Sequence, residues 1–145
     1  MEIKPRLGAL FAATTLFATG TIVASATAAN AATFTYSCEV YNSATKAKII
    51  RVYNGGKYAG YAMWNGDPSG SWPGDALRAY DGLADGWGVV ANLSTGRTAT
   101  TVGHNAPYYS PWATGDLTEG NHYDMYVQMK NGDLVASSGN CLVTA

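Results

Sequence analysis

Lys48-Ile49-Ile50-Arg51-Val52-Tyr53-Asn54-Gly55-Gly56-Lys57-Tyr58-Ala59-Gly60-Tyr61-Ala62-Met63-Trp64 is two β-prone runs joined by Asn-Gly-Gly. Asn-Gly between such runs is the strongest short-range hairpin signal, because both central residues of the tight turn need positive φ. Upstream, Thr33–Tyr41 alternates with period 2. Phe34, Tyr36, Cys38 and Val40 face one way, and Thr33, Thr35, Ser37 and Glu39 the other, as in a half-buried strand. Downstream, residues 65–75 hold two prolines and three glycines in eleven positions and read as a loop.

The same grammar continues to the C-terminus. Ala76–Tyr80 is a short strand closed by Asp81-Gly82, and Trp87–Leu93 with Arg97–Val102 forms a second hairpin around Ser94-Thr95-Gly96. An aromatic loop follows from Gly103 to Trp112. Tyr123, Met125, Val127 and Met129 then alternate with polar neighbours, Asn131-Gly132 turns into Leu134–Ser137, and Cys141–Thr144 ends the chain. Beyond residue 31 no window carries the 3.6-residue period of a helix. Eight or nine short strands at this spacing predict an all-β fold, a small β-sandwich or a partly closed Greek-key barrel.

Residues 1–31 read as a cleaved export signal. Lys4 and Arg6 precede the uncharged stretch Leu7–Val23, and Ala29-Asn30-Ala31 has the small-x-small form of a cleavage site, with Ala26-Thr27-Ala28 as a second. The Thr-rich second half is too mild for a membrane span, which needs roughly 20 strongly apolar residues. The expected product is a secreted, extracellular domain of residues 32–145, not inserted in a membrane. The whole chain has a net charge of −1 and a sequence pI near 6.0, which leaves no basic footprint for nucleic acid. Cys38 and Cys141 are the two cysteines. In an oxidising compartment they predict one structural disulfide tying the terminal strands together.

Catalytic patterns are sparse, and no enzyme, metal or cofactor is expected. His104 and His122 stand alone, without the i, i+2 or i, i+4 partner of a zinc motif. No Gly-x-Ser-x-Gly elbow exists. Beyond the leader the only glutamates are Glu39 and Glu119, while Asp67, Asp75, Asp81, Asp85 and Asp133 each adjoin Gly, Pro or another turn former. Such residues belong to turns more often than to acid/base pairs.

Aromatic loops remain. Trp72 lies in one Gly/Pro-rich loop, and Tyr108, Tyr109 and Trp112 lie in another, where Pro107 and Pro111 bracket the tyrosine pair. Rings in stiff loops either cap the ends of a small core or present an interface, since Tyr and Trp dominate binding hot spots. His104 and Asn105 are expected as polar members of the same surface.

Tyr53-Asn54-Gly55-Gly56-Lys57-Tyr58-Ala59-Gly60 resembles the aromatic-x4-aromatic-x-Gly opening of a βγ-crystallin Greek key, as found in small secreted actinobacterial killer-toxin-like, antifungal and metalloprotease-inhibitor proteins. That family binds calcium through an acidic pair followed by x-x-Ser/Thr-Ser. Asp133-Leu134-Val135-Ala136-Ser137-Ser138 has Leu in the second acidic place, so calcium is not expected. Three further segments, Ala84–Val89, Gly103–Tyr108 and Gly115–Asn121, resemble those of small secreted Streptomyces-type proteins. Among these, the chain is similar in size, leader and β-rich build to the adaptor subunit of umbrella toxin particles. That resemblance implies bridging a lectin-bearing subunit to a large toxin subunit, without catalysis.

The expected function is therefore an extracellular protein–protein interaction module, an adaptor in an antibacterial toxin complex whose partner is another secreted protein. Two alternatives stand beside it. One is a cell-wall or glycan-binding module that uses Trp72, Tyr108, Tyr109 and Trp112 as stacking platforms. The other is a protease inhibitor that presents residues 67–75 or 106–112.

Overall fold

The computed structural model describes residues 31–145, and the expected export signal lies outside the described residues except for Ala31. Ten strands follow one another: β1 (Phe34–Asn42), β2 (Ala47–Asn54), β3 (Lys57–Asn65), β4 (Ala76–Asp81), β5 (Gly88–Leu93), β6 (Thr98–Thr100), β7 (Tyr108–Tyr109), β8 (His122–Asn131), β9 (Leu134–Ser137) and β10 (Cys141–Thr144). No helix occurs among the described residues, and the chain is all-β. Two antiparallel sheets form, and neither closes into a barrel. The first has the order β1-β2-β3-β4-β7, and the second β10-β8-β5-β6 with β9 also on β8.

The opening hairpin forms as its turn residues require. Asn54 pairs with Lys57, so the central turn residues are Gly55 and Gly56, with φ of 55° and 80°. Glycine alone meets both at no steric cost. A one-residue register shift at Val52/Tyr53 follows, and beyond it β3 and β4 pair without interruption from Gly60↔Asp81 to Asn65↔Ala76. β9 and β10 act as one strand broken by an irregular step. Gln128 pairs with Ser137 but Met125 with Cys141, so the register slips by one residue between them. Ser138 covers the slip: its N–H donates to Val127 O and its Oγ accepts from Val127 N, both at 2.9 Å.

The core lies between the sheets. Ile50, Val52, Ala62, Trp64, Leu77 and Ala79 of the first sheet meet Val89, Ala91, Leu93, Met125, Val127, Met129 and Val143 of the second. Two ties cross this layer. Trp64 Nε1, on a fully buried ring, donates to Thr144 O at 2.9 Å. The Cys38–Cys141 disulfide links β1 to β10, with Cα atoms 5.8 Å apart. The terminal strands thus sit in different sheets and face each other, and a disulfide of this kind suits an oxidising setting. Lys46 adds a polar clasp, reaching Asp67 at 3.2 Å, Glu119 at 3.2 Å and Ala145 O at 3.0 Å.

Two expectations need correction. Val40 shares a face with Phe34, Tyr36 and Cys38, yet it is 64% exposed. β10 runs from its bond with Cys38 on β1 toward Trp64 on β3, so the edge strand has nothing to pack on past the disulfide. Tyr108 and Tyr109 are not loop residues either. They form β7, which pairs with the free edge of β4 through Asp81↔Tyr108 and Tyr80↔Tyr109.

Candidate functional site

Strand register assembles an aromatic layer on the outer face of the first sheet. Ser37, Arg51, Tyr61, Tyr80 and Tyr109 lie directly opposite one another across five strands. The adjacent row is Glu39, Ile49, Met63 and Arg78. Inner-face residues Ile50, Val52, Ala62 and Ala79 alternate with these positions, so the period of 2 puts small and aliphatic side chains inside and the large rings outside.

The rings are in contact. Tyr61 lies 5.2 Å from Tyr80 and Tyr80 4.3 Å from Tyr109, the second pair stacked at 27°. The Arg78 guanidinium sits over both Tyr109, at 4.7 Å, and Trp112, at 5.3 Å. Trp112 meets Trp72 at 5.5 Å, and Trp72 stacks on Tyr41 at 5.8 Å. From Tyr41 on β1 to Trp112 beside β4, this chain bridges the row that holds Ile49 and Met63. Both of those point outward by register and are nevertheless 2% exposed. Burial raises the Tyr58 and Tyr80 hydroxyls and pushes Tyr61 up to about 12, so all three stay neutral hydrogen-bonding groups at physiological pH.

Several ring faces here are occupied. Tyr80 and Tyr109 cover each other, Tyr41 and Trp72 do the same, and Arg78 takes a face of Tyr109 and of Trp112. Tyr41 and Tyr109 remain about half exposed, at 49% and 50%. Arg78 Nε donates to Ser110 O at 3.0 Å, and its two terminal nitrogens donate to nothing among the described residues. Arg51, by contrast, is engaged with Glu39 at 3.3 Å. Ser37 Oγ and Arg51 together hold the Glu39 carboxyl below its ordinary value.

The expected site residues divide into two groups. Trp72, Trp112 and Tyr109 belong to the aromatic layer. Tyr108 points to the other side of β7, where its ring stacks on His104 at 3.8 Å and 6°. His104 and Asn105 line a separate cleft at the end of the sandwich, between the β4–β5, β6–β7 and β8–β9 connections. A single surface holding all six residues does not form, because neighbours on a strand face opposite ways. Tyr41, Tyr61, Tyr80 and Arg78 were not expected in the site. A signal existed for Tyr80, since Arg78 two residues earlier marks the solvent face of β4. Nothing in β3 itself distinguishes Tyr61 from a core residue.

The loop at residues 65–75 is braced from within. Asn65 Nδ2 donates to Asp67 O at 2.8 Å and to Pro73 O at 2.7 Å, and Asp75 N donates to Gly66 O at 2.8 Å. The histidines lie apart: His122 Nδ1 pairs with Thr144 Oγ1 at 2.9 Å, while His104 is on Tyr108. No family model, characterised protein or solved structure matches this chain. Its chemistry is read from its own side chains.

Proposed function

We propose that this protein is an extracellular, non-enzymatic protein-recognition module, an adaptor that presents the outer face of its first sheet to another secreted protein. One observation carries the reading: Tyr, Trp and Arg side chains form a connected layer on one sheet face, in which stacking takes up a face of Tyr41, Trp72, Tyr80 and Tyr109, and Arg78 lies over Tyr109 and Trp112. A sugar docks flat on a free ring face. A protein surface is suited to edges, phenol oxygens and a guanidinium, and Tyr, Trp and Arg are the residues enriched at interface hot spots. The rings are held by one another and by β-register, so little side-chain entropy is lost on docking. Export and the resemblance to the umbrella-toxin adaptor subunit point the same way, toward a bridge between a lectin-bearing subunit and a toxin subunit.

The test is capture from the culture supernatant of the source organism, with the tag at the mature N-terminus because Ala145 is buried. Wild-type protein is expected to bring down a defined secreted partner, and Arg78→Ala and Tyr109→Ala are expected to lose it. Recovery of a lone monomer overturns the proposal. So does retention on insoluble cell-wall material, or inhibition of a secreted protease, with no protein partner captured.

A further inference from the structure

The end cleft has a volume of about 630 Å³, within the range of small-molecule sites. Its chemistry differs from that of the aromatic layer. Asp81 lines it and is 4% exposed. One Asp81 carboxylate oxygen accepts from Leu83 N at 3.1 Å, and the other accepts from no group among the described residues. Asn105, Lys130 and Asn131 also line the cleft, and their side chains make no hydrogen bond among the described residues. Trp87 contributes an apolar wall, packed edge-on to Phe34 at 5.0 Å.

The walls are set in advance. Asp85 Oδ1 accepts from Trp87 N at 3.0 Å and Asp85 Oδ2 from Asn54 Nδ2 at 2.7 Å. The parallel His104–Tyr108 pair stiffens the opposite loop. A site that keeps its shape without ligand loses less on binding.

From this constellation we infer that the cleft binds a neutral saccharide unit. The Asp81 carboxylate, an acceptor, lines the same cleft as amide and ammonium donors that make no hydrogen bond to the protein among the described residues. Hydroxyls of a sugar donate to the first and accept from the second, while its C–H face lies against Trp87. Other ligand classes fit less well. Asp81 and the nearby Asp85 repel an anion, against which Lys130 offers one charge. An apolar ligand would strip water from the Asp81 carboxylate and from the Asn105, Lys130 and Asn131 head groups and give no hydrogen bond in return, which is costly. This site is independent of the protein-binding face, from which β7 separates it.

The experiment is an NMR titration of the purified protein with glucose, galactose, mannose, N-acetylglucosamine and its dimer, with inorganic phosphate as the anionic control. Soluble oligomers ending in the same units distinguish a free sugar from a glycan end. At least one sugar is expected to saturate in the millimolar range or tighter, shifting the Trp87 indole N–H and the Asn131 and Asn105 side-chain amides. Asp81→Asn and Asn131→Ala are each expected to weaken binding about tenfold or more. Tyr109→Ala leaves it unchanged, so this inference and the protein-binding proposal fail separately. Asn131 is a surface residue whose replacement keeps the fold, so the test survives an unfolded Asp81 variant. Absence of any sugar response overturns the inference, as does a response to phosphate alone or sugar binding untouched by both variants.

Discussion

Asp81 shows how one residue trades stability against chemistry. Burial first, and then the charge of Asp85, raise its carboxyl above the ordinary value of 3.8. Below that value the acid is protonated in folded and unfolded chains alike, and its folded-state stabilisation is intact. As pH rises the unfolded chain releases its proton first, so this contribution drains away until pH has passed the raised folded value. Asp81→Asn retains an acceptor for Leu83 N and removes the buried charge. The variant is therefore expected to be more stable than wild type at neutral pH, with the difference shrinking toward acid, as read by denaturant unfolding at several pH values. A variant less stable than wild type at neutrality would show that the carboxylate is better solvated than its 4% exposure implies. Greater stability combined with weaker sugar binding is the signature of a residue kept for its chemistry. Arg78 is the counterpart on the other site. Its guanidinium lies over the Tyr109 and Trp112 rings, while its terminal nitrogens make no hydrogen bond among the described residues.

Among the elements, the β3–β4 pair organises both faces. At Gly60 β3 leaves no room beside the Tyr80 backbone: a Cβ there would collide with the Tyr80 carbonyl oxygen and crowd Val89. Backbone cannot rotate away as a side chain can. Gly60→Ala is expected to destabilise by about 1–3 kcal/mol and to loosen the Tyr61–Tyr80 contact. Chemical denaturation and the near-ultraviolet signal of the tyrosines would report the two effects. The ends of the chain depend on a different device. Cys38 and Cys141 are 103 residues apart, and opening so long a loop restores entropy to the unfolded chain worth about 4–5 kcal/mol in the chain-entropy description. Reduction, or Cys38→Ser with Cys141→Ser, should lower the denaturation midpoint accordingly. A shift under about 1 kcal/mol would mean that the Trp64–Thr144 tie and the core already hold β10 in place.

Viewed whole, the molecule is asymmetric. The outer face of the second sheet carries Asn92, Thr98, Tyr126 and Gln128 by register, and Tyr126 touches no other ring among the described residues. The outer face of the first sheet carries the connected rings, and a monomer has little reason to segregate aromatics in this way. Tyr41→Ser with Tyr109→Ser should leave stability within about 1 kcal/mol, since both rings are half exposed, while abolishing partner capture. A large loss of stability in that double variant would instead make the layer a second core. Turn positions, the period of 2 along β1 and β8, and the covalent link between the chain ends were all legible in the sequence, because they depend on residues close together or on two cysteines with no other partner. Strand alternation separates two faces but does not tell which one a second sheet will cover. The rows Arg51–Tyr61–Tyr80–Tyr109 and Ile49–Met63–Arg78 exist only through register between strands, and a one-residue slip would exchange every side chain between core and solvent. Tertiary structure alone settled that register. It thereby decided which tyrosines meet, parted Tyr108 from Tyr109, and left His104 and Asn105 on a cleft of their own.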